Sequence, residues 1–152
     1  MDSPLVRRMH AFPHHYTVTR LHHSLSVAYV AFLAVRKLGG EARATARGGL
    51  LHDLFLYDRR EAGRPIGAHT VAHPRLALRN AERHFDLTPL EREIILAHMF
   101  PLGLCPPRHL ESLAVCVADK LCAAYECVGA LASPALADRV AKITFRAKGV
   151  FL

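Results

Sequence analysis

Adjacent His52 and Asp53 close an apolar segment, Gly48-Gly49-Leu50-Leu51-His52-Asp53. A carboxylate at the buried end of a helix is costly unless a cation or several donors meet it. A neighbouring imidazole, or a metal ion held by both residues, meets that need. Similar placements recur along the chain. His23 lies in Leu21-His22-His23-Ser24-Leu25-Ser26-Val27-Ala28, and Asp119 in Ala114-Val115-Cys116-Val117-Ala118-Asp119-Lys120-Leu121. His73 opens a helical turn in Ala72-His73-Pro74-Arg75-Leu76-Ala77, and His98 ends Ile94-Ile95-Leu96-Ala97-His98. Any one of these alone reads as a hydrogen-bonded core histidine or a helix-end charge. Together, four imidazoles and two carboxylates compose a nitrogen and oxygen ligand set suited to iron, manganese, zinc or similar metals. Cysteine is absent from these positions, which argues against a structural zinc site.

The elements that must position these residues are helical. Thr17 to Leu38 reads as a long helix stopped by Gly39-Gly40, and Glu41 to Leu54 as a second rich in Ala, Leu and Arg. Tyr57 to Gly67 carries Gly63, Pro65 and Gly67 and reads as an exposed loop. A third helix covers Thr70 to Phe85. Thr88-Pro89-Leu90-Glu91 has the form of an N-cap, a first-turn proline and an early acid, opening a helix that reaches Met99. Pro101 to Pro107 is a break, His109 to Val128 a further helix, and Ser133-Pro134 starts a last one reaching Ile143. Period-two alternation never persists. The expectation is an all-α fold, a single bundle of five to six helices.

Composition narrows the class. The chain has 152 residues, 51% of them hydrophobic and 22% charged, enough for one folded core. Its longest mostly apolar stretch, Leu25 to Val35, is too short to span a bilayer, which takes about 20 apolar residues. The N-terminus has arginines but no apolar run behind them, so it does not read as a secretory signal. Lys and Arg outnumber Asp and Glu by 20 to 13, a formal charge of +7, and sixteen of the cations are arginine. Such a balance favours anionic partners such as phosphorylated metabolites, nucleotides or nucleic acid, or it reflects a general bias toward Arg and Ala. No motif supports nucleic-acid binding. The four cysteines form no CxxC pair and read as buried and reduced, as in a cytoplasmic protein.

The order His, His-Asp, His, His, Asp resembles the HD-domain superfamily of metal-dependent phosphohydrolases, and within it a bacterial subgroup without an assigned substrate. The resemblance rests on HHSLSVA (22–28), RGGLLHDLFLYD (47–58), AHPRLALRNAE (72–82), IILAHMFPL (94–102) and VADKLCAAYE (117–126). It covers about residues 15–126, so residues 1–152 are expected to form a single HD domain, with 127–152 as a C-terminal helix and tail.

The resemblance implies that His23 (rather than His22), His52, Asp53 and Asp119 hold one metal. It implies that His73 and His98 complete a two-metal centre bridged by Asp53. One or two divalent ions are expected, drawn from Fe, Mn, Zn, Ni, Co or Mg. The implied reaction is hydrolysis of a phosphate ester or anhydride of a small phosphorylated molecule, a nucleotide foremost, by a metal-activated water. Asp53 would help orient the nucleophile, and Lys120 would neutralise a substrate phosphate. Arg20, Arg64, His69 and Arg75 are candidates for contacts to phosphate or to the ligands, and His15 for the mouth of the site. His14, His84 and His109 read as surface or helix-end residues. Loops 57–67 and 101–108 are the natural places for substrate selection. Two alternatives stay open: a di-iron oxygenase on the same ligand set, and a non-catalytic module that binds an anion or nucleic acid.

Overall fold

The computed structural model describes residues 3–15, 18–56 and 66–132; the side chains of His15, of residues 66–69 and of residues 129–132 lie outside that description. Within it the chain is helical, with one small two-stranded sheet. Helix α1 (Pro4–Arg8) and a 3-10 turn (Met9–Ala11) precede a hairpin of β1 (Pro13–His15) and β2 (Val18–Thr19). The long helices are α2 (Arg20–Leu38), α3 (Ala42–Leu51), α4 (Ile66–Glu82), α5 (Pro89–Ala97) and α6 (Leu110–Ala132).

The expected all-α class holds, and the departures have local causes. The first long helix begins at Arg20, not Thr17. Val18 and Thr19 are β-branched, and they pair antiparallel with His15 and Pro13 instead. Thr19 then caps α2, its side chain accepting from the His22 amide. At the far end Gly39 adopts a left-handed backbone (φ 79°) that a side chain would strain, and its amide closes on Arg36 and Val35 carbonyls. Thr88 and Glu91 form a complete capping box around Pro89 at the start of α5. Helix α4 starts at Ile66, ahead of the expected Thr70, and runs through Pro74. The expected helix from Ser133 lies outside the described residues, as does most of the 57–67 loop.

Helix α2 is the centre of the bundle. One side packs on α3, the other on α6, while α5 touches α3, α4 and α6. Leu25, Ala28, Leu50, Leu51, Leu54, Ala77, Ala81 and Ile95 fill one core with Val6 and Met9 from the N-terminal segment. Val27, Ala31, Ile94, Val115, Ala118 and Cys122 fill a second between α2, α5 and α6. The polar cluster described next lies where these helices converge. Among the described residues, no helix is long and apolar enough to cross a membrane. All four cysteines are free; Cys116 and Cys122 are buried, whereas Cys105 and Cys127 are half-buried.

Candidate metal centre

Three helices and the turns that end two others bring the six expected residues together. His23 comes from the first turns of α2. His52 caps the end of α3 and Asp53 follows it; His73 lies in α4; His98 caps the end of α5; Asp119 lies in α6. All six are buried, and His23 and His52 are fully so.

The helix ends orient two of these rings. The last carbonyls of a helix have no partner within it. His52 Nδ1 donates to Gly49 O at 2.6 Å, and His98 Nδ1 donates to Ile95 O at 2.7 Å. Each ring therefore turns its Nε2 toward the other helices. His52 Nε2 lies 3.6 Å from Asp119 Oδ1. His98 Nε2 lies 2.9 Å from His73 Nε2 and 3.7 Å from Asp53 Oδ1, which is itself 3.3 Å from His73 Nε2. His23 spans the other side, its Nε2 3.0 Å from Asp119 Oδ1 and its Nδ1 3.0 Å from both oxygens of Glu126.

The electrostatics follow from burial and these partners. Burial opposes a charge on His23, but the hydrogen bonds to Asp119 and Glu126, with the charges behind them, lift its pKa to about 10. Burial and then the His52 and His73 charges push His98 the other way, to about 3. Desolvation would raise both Asp53 and Asp119. For Asp53 the neighbouring His52 and His73 outweigh it, and for Asp119 the hydrogen bond from His23 with His52 close by, so both carboxyls stay well below the usual range.

Two observations test whether this cluster fits a metal ion. His52 Nε2 and Asp53 Oδ1 are buried polar atoms with no aligned hydrogen-bond partner, a condition native interiors rarely tolerate. The 2.9 Å between the His73 and His98 Nε2 atoms matches two ligands at right angles on one ion, which at metal–nitrogen distances of about 2.1 Å lie about 3 Å apart. The ligand atoms group as His23, His52 and Asp119, as His52, Asp53 and His98, and as His14, His23 and Asp53, each within 4.8 Å. These His/Asp groups could hold a metal.

The other expected residues divide. Lys120 stands at the rim, where Nζ donates to His98 O at 2.6 Å and lies 3.4 Å from Asp119 Oδ2. Arg20 is 1% exposed, its guanidinium 3.7 Å from the centre of the Phe55 ring and 5.3 Å from that of Phe12, with Nη1 donating to Phe55 O. It supports the backbone after Asp53. Arg75 is exposed and lines a shallow cleft with Val71, Pro74, Leu96 and Leu104, beside the 101–108 loop. Arg64 lies outside the described residues, as do the side chains of His15 and His69.

Two residues enter the cluster that sequence reasoning does not assign to it. His14, expected at the surface, is carried inward by the hairpin. Its ring stacks on His23 (centroids 3.9 Å apart), and Nδ1 lies 3.6 Å from Asp53 Oδ2. Strand geometry turns alternate side chains to opposite faces, so an unrecognised strand hides that His14 points in. Glu126 is the other. It stands two helical turns after Asp119, an acid in the same apolar helix, and that spacing puts both on one face.

The HD domain family model matches residues 20–124, which contain all six of these His and Asp positions. The chain belongs to the HD-domain family. That family lies within a superfamily of metal-dependent phosphohydrolases. Among curated proteins, the chain is 34% identical over 109 residues to Ribonuclease Y of a Sulfurovum species and to Ribonuclease Y of Wolinella succinogenes. It is 31% identical over 110 residues to Ribonuclease Y of a Nitratiruptor species. Each alignment takes in 72% of this chain but 19% of the relative, so the chain spans about a fifth of the length of these proteins. No solved structure matches it significantly.

Proposed function

We propose that this HD domain is a metal-dependent hydrolase of a phosphate ester or anhydride in a small phosphorylated molecule, with a nucleotide as the first choice of substrate. His23, His52, Asp53 and Asp119 would hold one divalent ion, and Asp53, His73 and His98 a second. The observation that carries the reading is the pair of orphaned buried atoms, His52 Nε2 and Asp53 Oδ1, among converging imidazoles. Bound there, a divalent ion supplies Lewis acidity toward phosphoryl oxygens and makes water ionisable near neutral pH.

The chain's own groups do the rest. Asp53, reached from one side by His14 and from the other by His73 and His98, is placed to orient an attacking water between the two halves of the cluster. Lys120, partly exposed beside Asp119, offers its ammonium to a substrate phosphate at the rim. The +7 charge of the chain supports an anionic substrate. Nucleotide chemistry is also the theme of the relatives' name, Ribonuclease Y. A cytoplasmic setting fits four free cysteines and the lack of a membrane-crossing helix among the described residues.

The test is elemental analysis of protein purified without chelator, followed by a phosphate-release screen over nucleotides and sugar phosphates, with an RNA oligonucleotide as a separate arm. Asp53→Ala is expected to lose both metal and activity. Full metal content in a variant lacking both His52 and Asp53 would sink the proposed centre. Oxygen consumption without phosphate release would replace hydrolysis with oxidation.

A further inference from the structure

Three of the clustered histidines present Nδ1 to an acceptor, and the acceptors differ in kind. His52 and His98 stand at helix C-termini, where the carbonyl one turn back is free to receive them. His23 stands in the first turns of α2, where the carbonyls of its own helix are taken by the backbone ladder. Its acceptor must come from another element. That acceptor is Glu126 of α6, whose side chain is 1% exposed and whose two oxygens both lie 3.0 Å from His23 Nδ1.

We propose that Glu126 is a positioning residue for the metal centre: by accepting the His23 Nδ1–H it fixes that ring's tautomer and orientation, so that Nε2 faces Asp119 and His52. The inference rests on the metal reading given above. Asp119 and Glu126 share one face of α6, two turns apart, and clamp the imidazole from its two nitrogens. An anionic acceptor also makes Nε2 a stronger donor toward a metal than a carbonyl would, because it stabilises the positive charge that ligation draws onto the ring. Glu126 lies just beyond the stretch matched by the family model.

A purely structural Glu126 would alter stability alone, so the test reads the metal and the ring. Metal-free protein is titrated with Zn(II) and with Mn(II) against a chromophoric chelator. Glu126→Ala is expected to weaken binding about 10–100-fold, and Glu126→Gln, which keeps an acceptor oxygen without the charge, by less than about 10-fold. In the Zn(II) form, long-range 1H–15N spectra are expected to show His23 protonated on Nδ1 in the wild type, with that resonance displaced in both variants. Unchanged affinity and unchanged His23 resonances in the variants overturn the inference. Should Glu126→Ala fail to fold by circular dichroism, the near-isosteric Glu126→Gln decides by the same two readouts. Wild-type protein that takes up neither metal overturns the metal reading itself, and this inference with it. Wild-type and variant proteins that bind equally well overturn the role of Glu126 alone.

Discussion

Replacing Gly49 by alanine tests whether the α2–α3 crossing sets the geometry of the cluster. A Cβ at Gly49 would stand 3.0 Å from Ala28 Cα, 3.4 Å from Ala28 N and 3.5 Å from Ala28 Cβ. Carbon atoms prefer about 3.5–4.0 Å, and the nearest atom here is backbone, so no rotamer change relieves the contact. The two helices must move apart by a few tenths of an ångström. Two terms oppose each other. Helix propensity favours Ala over Gly by about 1 kcal/mol, and overpacking a filled core costs about 1–3 kcal/mol. The expected net is a loss of about 1 kcal/mol, a fall in Tm of about 2–4 °C for a chain of this size.

The site should suffer more than the fold. Gly49 stands one turn before His52 and supplies the carbonyl that orients it, while Ala28 follows His23 along α2. Binding constellations tolerate displacements of only about 0.5 Å. The assay is thermal unfolding by circular dichroism with chelator and with added Zn(II), so that the metal-induced rise in Tm is read separately. Gly49→Ala is expected to lower the metal-free Tm and to shrink that rise. An increase in the metal-free Tm of about 2–4 °C, the propensity gain alone, would refute the reasoning.

Gly48→Ala should cost more than Gly49→Ala, because its Cβ would meet the buried Ile94 at 2.7 Å from Cγ2 and 2.9 Å from Cβ; an equal or higher Tm would count against it. Metal uptake should release a proton. His23, lifted to about 10 in the metal-free fold, gives up its Nε2 proton to ligate, so calorimetry at pH 7 in buffers of different ionisation enthalpy should report about one proton released. The raised pKa also means that His23 stabilises the metal-free fold fully below 6.5 and ceases to as pH rises through about 10. Glu93→Gln should flatten the acid limb of a Tm–pH profile. Burial works to raise Glu93, but Ser112 Oγ at 2.7 Å, the Arg108 amide at 2.8 Å and His109 at 2.6 Å hold it down, so its contribution is present above 4.5 and lost as pH falls through the lowered pKa.

The helices are legible where short-range chemistry decides them. Gly39-Gly40 stops α2 and Thr88-Pro89 starts α5 by capping rules that need no tertiary context. The six His and Asp positions are legible as polar residues in apolar helices, since burial of such groups demands partners. The hairpin is not, because two- and three-residue strands carry almost no periodicity and form only against the body they cover. With it goes His14, whose place depends on that hairpin. The burial of Arg20 is hidden for a related reason. The aromatic faces that enclose it, Phe12 and Phe55, lie far from each other in sequence. Glu126 carries the same signal as Asp119. Its role depends on which nitrogen of His23 it meets, and that is a matter of helix packing.

The charge balance of the cluster ties these observations to binding. Asp53 and Asp119 are both held ionised, His98 is held neutral, and His23 is held protonated by the acids on either side. In the metal-free fold the His23 proton is thus part of what makes two buried carboxylates tolerable. A cation that takes His23 Nε2 must do the work of that proton and more. A monovalent ion would only replace the lost charge, whereas a divalent ion also offsets a second carboxylate and gives the orphaned His52 Nε2 and Asp53 Oδ1 a partner. The site should therefore discriminate by charge before it discriminates by geometry. Sodium and potassium should leave the metal-free Tm unmoved at concentrations where Zn(II) or Mn(II) raises it. A rise of the same size with either monovalent ion would refute that ordering.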